Sequence, residues 1–203
     1  MTRILLTSVA LGWLAITTNV RLEVVALPDL PDIVGRAGMF AGRHGDVLLA
    51  AGGANFPNRM PWDGGAKVWH DEVYALPATG TQWRVIGRLP GPNGYGVSVT
   101  TREGVVVAGG SNADRHLADV WLMSTRGDEV SLSAFPALPM PLAQMAGALV
   151  GRVVHVVGGI DRPDASRAEA RHLALDLDAP KGGWRTLPPL PGEGRILATA
   201  AAT

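Results

Sequence analysis

The amino-acid sequence predicts an all-β fold, a segment of β-propeller with about three four-stranded blades. Two observations carry this. Glycine and proline account for 26 and 15 of 203 residues, which suits many short strands joined by tight turns. Apolar, β-branched runs end three times on a Gly-Gly pair, in DVLLAAGG (46–53), GVVVAGG (104–110) and RVVHVVGG (152–159). The pairs begin at 52, 109 and 158, so they recur after 57 and 49 residues.

A period near fifty residues is that of the kelch-type β-propeller repeat. The remaining elements fall into the same register: DEVYAL (71–76), ADVWLM (118–123) and RHLALDL (171–177) form one set. QWRVIGRLP (82–90), SLSAFPALP (131–139) and GWRTLPPLP (183–191) form the other. Strands are expected near 22–27, 46–51, 71–76, 82–87, 95–100, 104–108, 118–123, 131–135, 145–150, 153–157, 171–176 and 184–187. Blades then span about 32–87, 93–135 and 142–187, with a fourth unit starting at 194–203.

Each element has a physical cause. The continuous apolar runs fit strands buried on both faces. GRHGD, TREG and VGR read as hairpin loops in front of them. Gly-Gly permits a backbone approach that a Cβ would block. Leu-Pro ends an outer strand because proline cannot continue the ladder. MPLAQMAGALV (140–150) has some helical character in isolation, but the repeat register assigns it to a strand. Propellers close with four to eight blades, so three blades are part of a ring, with two blade faces available for self-association. The chain is expected to be a fragment of a longer one, the alternative being a ring completed by another chain.

Residues 4–16, ILLTSVALGWLAI, carry no charge and follow Arg3. They are short for a membrane span and match an export signal over 1–20, which implies a periplasmic or secreted protein. Lysine plus arginine balance aspartate plus glutamate at 18 each, without a basic run, so a nucleic-acid partner is not expected. The absence of cysteine excludes thiolate metal sites and a copper centre built on a cysteine-linked tyrosine. No cofactor and no metal are expected.

The first repeat carries a long insertion, ANFPNRMPWDGGAKVWH (54–70), between Gly53 and Asp71. With GGANFPNRMPWDGGAKVWHDEVYAL (52–76), NGYGVSVTTREGVVVAGGSNADRHLADVWLM (93–123) and RILATAA (195–201), the chain resembles the cyclically permuted mutarotase family, kelch-repeat relatives of N-acetylneuraminate epimerases. The resemblance implies a six-bladed propeller interconverting the anomers of a sialic acid or a related sugar. It also implies a proton-transferring glutamate in a Gly-Glu…Arg segment. Glu193 in PGEGR (191–195) stands in a different context, so no catalytic residue is assigned. The alternative function is a kelch interaction or carbohydrate-binding module without catalysis.

Candidate sugar-binding residues follow the Gly-Gly pairs, which gathers them at one end of the blades. The insertion offers Asn55, Arg59, Trp62, Asp63, Lys67, Trp69 and His70. The second repeat offers Asn112, Asp114, Arg115 and His116, and the third Asp161 and Arg162. Arg59 or Arg115 is expected to meet a substrate carboxylate through its guanidinium fork. Trp83 and Trp184 read as blade core and His155 as a packed, hydrogen-bonded strand residue, while His44 and His172 read as turn or surface residues. Tyr95 is placed either facing the channel or capping the core.

Overall fold

A computed structural model describes residues 23–202. The expected export signal at 1–20 lies outside the described residues. Blade one contains β1 (Phe40–His44) and β2 (Val47–Ala51). A two-stranded ribbon of β3 (Ala54–Asn55) and β4 (Val68–Trp69) follows, and the blade resumes with β5 (Glu72–Pro77) and β6 (Arg84–Arg88). Blade two is β7 (Val97–Thr101), β8 (Gly104–Ala108), β9 (Val120–Arg126) and β10 (Glu129–Phe135). Blade three is β11 (Ala146–Val150), β12 (Val153–Val157), β13 (His172–Asp176) and β14 (Arg185–Leu187).

Each blade is an antiparallel meander with strands in chain order, β1-β2-β5-β6, β7-β8-β9-β10 and β11-β12-β13-β14. Blade two lies between the others, and among the described residues the three sheets do not close into a ring. Its central strand β8 is buried along its whole length. Val105 and Val107 pack with Phe40, Leu49 and Val73 of blade one. Val106 and Ala108 pack with Val154, Val156 and Leu173 of blade three. Both faces therefore meet apolar neighbours, which is why GVVVA shows no polar alternation.

One expected strand is misplaced. Residues 23–27 pair with nothing in the described structure, and the first strand of blade one is Phe40–His44. FAGRH carries little β-propensity, so local sequence does not announce it. Contacts with blade two hold it instead: Ala41 and Arg43 donate backbone N–H groups to Ser98 Oγ at 3.0 Å and Thr100 Oγ1 at 3.2 Å. Gly42 is required there, since a Cβ would press on Val105 and Thr100.

Two histidine expectations are corrected. His44 is no free turn residue, because its Nδ1 accepts the Thr125 backbone N–H at 3.1 Å across the blade boundary. His172 lies in β13, with Nε2 2.8 Å from Nδ1 of His155. His155 is hydrogen-bonded within its strand pair, as the sequence implies. Trp83 and Trp184 precede the outer strands and donate Nε1–H to the Pro28 and Pro136 carbonyls at 2.9 and 2.8 Å.

The Gly-Gly pairs join the blades. Gly52, Gly109 and Gly158 have φ of 64°, 61° and 71°. A Cβ on each would collide with a backbone oxygen of the next repeat: Asn93, Leu142 and Arg195 in turn. The second glycine then donates its N–H to that same oxygen, Gly53 to Asn93 at 2.8 Å, Gly110 to Leu142 at 2.8 Å and Gly159 to Arg195 at 2.7 Å. The third link reaches the segment read as the start of a fourth unit.

Gly109→Ala should therefore cost about 3 kcal/mol or more, combining left-handed strain with a steric clash on the bond between blades. Gly127 has the same φ of 61° with open space around it, so Gly127→Ala should cost only about 1 kcal/mol. Chemical denaturation of the two variants measures the difference; equal losses would contradict the close-packing role.

The turns at the opposite end are tied by charge. Arg152 donates to both Glu103 oxygens, at 2.9 and 2.8 Å, and through Nε to Asp178 at 3.1 Å. Hydrogen bonds from Arg152, and then from Arg102, lower the Glu103 pKa from 4.5 to about 2. Because the folded pKa is depressed, this stabilisation is present above the ordinary value and is lost as pH falls through about 2. The melting temperature of an Arg152→Gln variant should lie below the parent's at neutral pH, with the gap closing as pH falls towards 2. A gap independent of pH would exclude the ion pair as its cause.

Candidate functional site

The loops after the Gly-Gly pairs converge because of a second repeated feature. Gly38, Tyr95, Gln144 and Leu197 hold the same place at the entrance to each repeat, all left-handed, with φ of 67°, 61°, 59° and 54°. Their backbones form a relay across the blades. Tyr95 donates to the Gly38 carbonyl at 2.8 Å, Gln144 to Tyr95 at 2.6 Å and Leu197 to Gln144 at 3.0 Å. Left-handed non-glycine residues are strained and persist only where surroundings hold them. Here the relay holds them, and it places the Tyr95 and Gln144 side chains in the hollow at the Gly-Gly end.

The insertion loop supplies the facing wall. In the β3–β4 ribbon Ala54 pairs with Trp69 and Asn55 with Val68, which folds the loop back over the mouth of blade one. Between them lies a short 3-10 turn, Pro61–Asp63, closed by Gly64. Lys67 thereby reaches the hollow with Nζ 4.6 Å from the Trp69 ring centroid and 4.2 Å from that of Tyr95. The two rings meet edge to face, 5.6 Å apart at 70°. An ammonium held between two aromatic faces still presents N–H groups to an anion. Of Tyr95's two expected placements, the structure realises the hollow-facing one.

The second blade adds Ser111, Asn112 and His116. Asn112 Oδ1 accepts the N–H groups of Asp114 and Arg115, both at 2.9 Å, and its own N–H bonds the Arg115 carbonyl at 3.0 Å. His116 is 6% exposed, and its Nδ1 lies 3.0 Å from Ser111 Oγ. Burial lowers its pKa, opposed by the negative charge of Asp161.

The other sequence candidates are distributed differently. Asn55 and His70 belong to a polar cluster under the loop. Asn55 Nδ2 donates to the Gly35 carbonyl at 3.0 Å, while its Oδ1 lies 2.9 Å from His70 Nε2. Arg36 organises this cluster, bonding Asp32 at 2.7 Å, Glu72 at 2.8 Å and the Tyr74 hydroxyl at 3.0 Å. Burial alone would raise the Asp32 and Glu72 carboxyls, yet the Arg36 contacts outweigh it and both sit below the usual range. Burial, and next the Arg36 charge, keep the His70 pKa low.

Arg59, Trp62 and Asp63 are exposed on the loop crest. Arg115 lines a separate groove with Asn93, Asp119 and Trp121. The cation in the hollow is therefore Lys67, and neither Arg59 nor Arg115 is among its lining residues. Asp161 and Arg162 pair with each other at 2.9 Å at the start of the third loop. Gln144 was missed as a site residue because it sits within an apolar run; its equivalence to Tyr95 in the repeat is the signal that identifies it.

Comparison with known proteins identifies the family. The family model described as N-acetylneuraminate epimerase matches residues 20–132, more than half of the chain, including Lys67, Trp69, Tyr95, Asn112 and His116. An N-acetylneuraminate epimerase of Brucella melitensis is 37% identical over 120 residues, covering 51% of this chain and 30% of that protein. One from Yersinia enterocolitica is 41% identical over 89 residues, covering 39% of this chain and 22% of that protein. One from Yersinia pestis (strain Pestoides F) is 45% identical over 85 residues, covering 37% and 21%. The matched segment is thus less than a third of each relative's length. A kelch-type repeat, an aromatic-lined hollow at its Gly-Gly end and a family match spanning both of its first two blades lead to one conclusion: the chain belongs to the N-acetylneuraminate epimerase family.

Proposed function

We propose that the protein acts as a mutarotase on N-acetylneuraminate or a related sugar acid, bound in the hollow at the Gly-Gly end of the blades. The observation that supports this best is the Lys67 ammonium held between Trp69 and Tyr95 inside the family-matched region. A sugar acid presents a carboxylate, hydroxyls and an apolar pyranose face. Lys67 suits the first, Asn112 and Gln144 the second, and the aromatic rings the third. Mutarotation removes the proton of the anomeric hydroxyl, opens the ring, delivers a proton to the ring oxygen and recloses on either face. Glu193, exposed in the segment after blade three, is given no part in this.

Lys67→Met should weaken N-acetylneuraminate binding by about 1.5–3 kcal/mol, the range for a hydrogen bond to a charged group, while the fold is retained. Titration calorimetry reads the affinity. Unchanged affinity would remove Lys67 from the site. Saturation-transfer NMR of the α and β anomers then decides the chemistry: exchange faster than in buffer supports the mutarotase, and binding without faster exchange supports a carbohydrate-binding module.

The same reading includes export through residues 1–20, so the mature protein recovered from a periplasmic or secreted fraction should begin near Arg21. Its intact mass checks this. It also includes self-association, since among the described residues blades one and three each have one face without a neighbouring blade. Sedimentation of the 203-residue chain should show species larger than a monomer, and a compact monomer would argue against it.

A further inference from the structure

His116 occupies a repeat position with a defined address. Leu117 donates its N–H to the second glycine of its pair, Gly110, as His70 does to Gly53 and Glu169 to Gly159. The residue one step earlier is Trp69 in blade one, His116 in blade two and Ala168 in blade three. Three unlike side chains fill this position, so the blade itself does not need an imidazole there.

The hydrogen-bond partners around His116 point to one of its two neutral tautomers. Ser111 Oγ is 3.1 Å from the Asn112 carbonyl and 3.3 Å from the Arg115 carbonyl, and both of these oxygens can only accept. In one arrangement the single hydroxyl hydrogen is given to these carbonyls. With the hydrogen so placed, the Ser111 oxygen accepts from His116 Nδ1 at 3.0 Å, which corresponds to the neutral tautomer carrying its proton on Nδ1. Nε2 is left with a bare lone pair. It is buried and has no hydrogen-bond partner among the described residues. Buried acceptors are nearly always paired, so an orphan on a residue lining a hollow calls for a donor that arrives from outside.

We infer that the His116 Nε2 lone pair is the acceptor for a hydroxyl of the bound ligand, so that the hollow takes a hydroxylated carboxylate gripped by Lys67 at one end and His116 at the other. This deepens the proposed function, on which the choice of a sugar acid rests. The charged groups bearing on the imidazole are Lys67 in the same hollow and Asp161 of the third loop. Burial keeps the ring neutral, the form in which Nε2 can accept. Acidification adds a proton at Nε2, converts it to a donor and should weaken binding.

The test uses the 203-residue chain labelled with 15N-histidine. Long-range 1H–15N spectra should show His116 protonated at Nδ1 and bare at Nε2, and its Nε2 resonance should move when N-acetylneuraminate is added. His116→Phe should lose about tenfold in affinity, one hydrogen bond's worth, while His116→Gln, which keeps an acceptor oxygen, should recover part of it. An Nε2–H tautomer would overturn the inference, as would ligand shifts at the Trp69 indole without movement of Nε2. Galacturonate is the second probe. If it moves Nε2 while N-acetylneuraminate does not bind, the sialic acid reading fails and the acceptor role stands. If neither sugar acid moves Nε2, the acceptor role fails, whatever the anomer-exchange assay shows.

Discussion

The hydrogen bond from the second glycine of each Gly-Gly pair to the next repeat is the contact on which the other features depend. It exists because the first glycine has no side chain: with a Cβ there, the oxygens of Asn93, Leu142 and Arg195 could not come close enough to accept. A buried backbone N–H without that partner would cost about 1–3 kcal/mol at every blade boundary. The bond also sets blade spacing, since it fixes one strand end of each blade against the entrance of the next. With the spacing set, β8 meets apolar residues on both faces, and the two halves of the core form around it.

Site geometry follows from the same anchoring. The residue two places beyond the accepting carbonyl is the left-handed one in the relay: Asn93 leads to Tyr95, Leu142 to Gln144 and Arg195 to Leu197. Backbone strain at Tyr95 and Gln144 is thus sustained by bonds that the propeller makes anyway, and its result is two side chains presented at the mouth. Gly38 completes the logic in blade one, where the Tyr95 ring takes the space a Cβ would fill. Binding groups are in this way attached to a rigid scaffold, although the segments carrying them are loops.

The polar cluster around Arg36 has a supporting role. It holds Asp32 and Glu72 ionised under the insertion loop and immobilises Asn55 and His70, which stand at the two ends of that loop. The loop can then be long and exposed at its crest, near Arg59 and Trp62, while Lys67 and Trp69 return to a defined position. This separates the residues that brace the loop from those that face the hollow.

The repeat, the all-β class and eleven of twelve expected strands were legible in the sequence because each rests on local chemistry: apolar runs, turn residues and glycine pairs at a fixed period. The strand Phe40–His44 was not, since its backbone is held by Ser98 and Thr100 and its glycine is required by Thr100 and Val105, some sixty residues away. The sequence also placed the candidate residues at the Gly-Gly end, because every loop there follows the same landmark. Which of them share a hollow was a tertiary matter. Lys67, Asn112 and His116 meet Tyr95 and Gln144 across blade boundaries, whereas Asn55 and His70 turn inward to Arg36 and its carboxylates. Residue type and spacing cannot distinguish a polar side chain that braces a loop from one that faces a ligand; the packing of one blade against the next does.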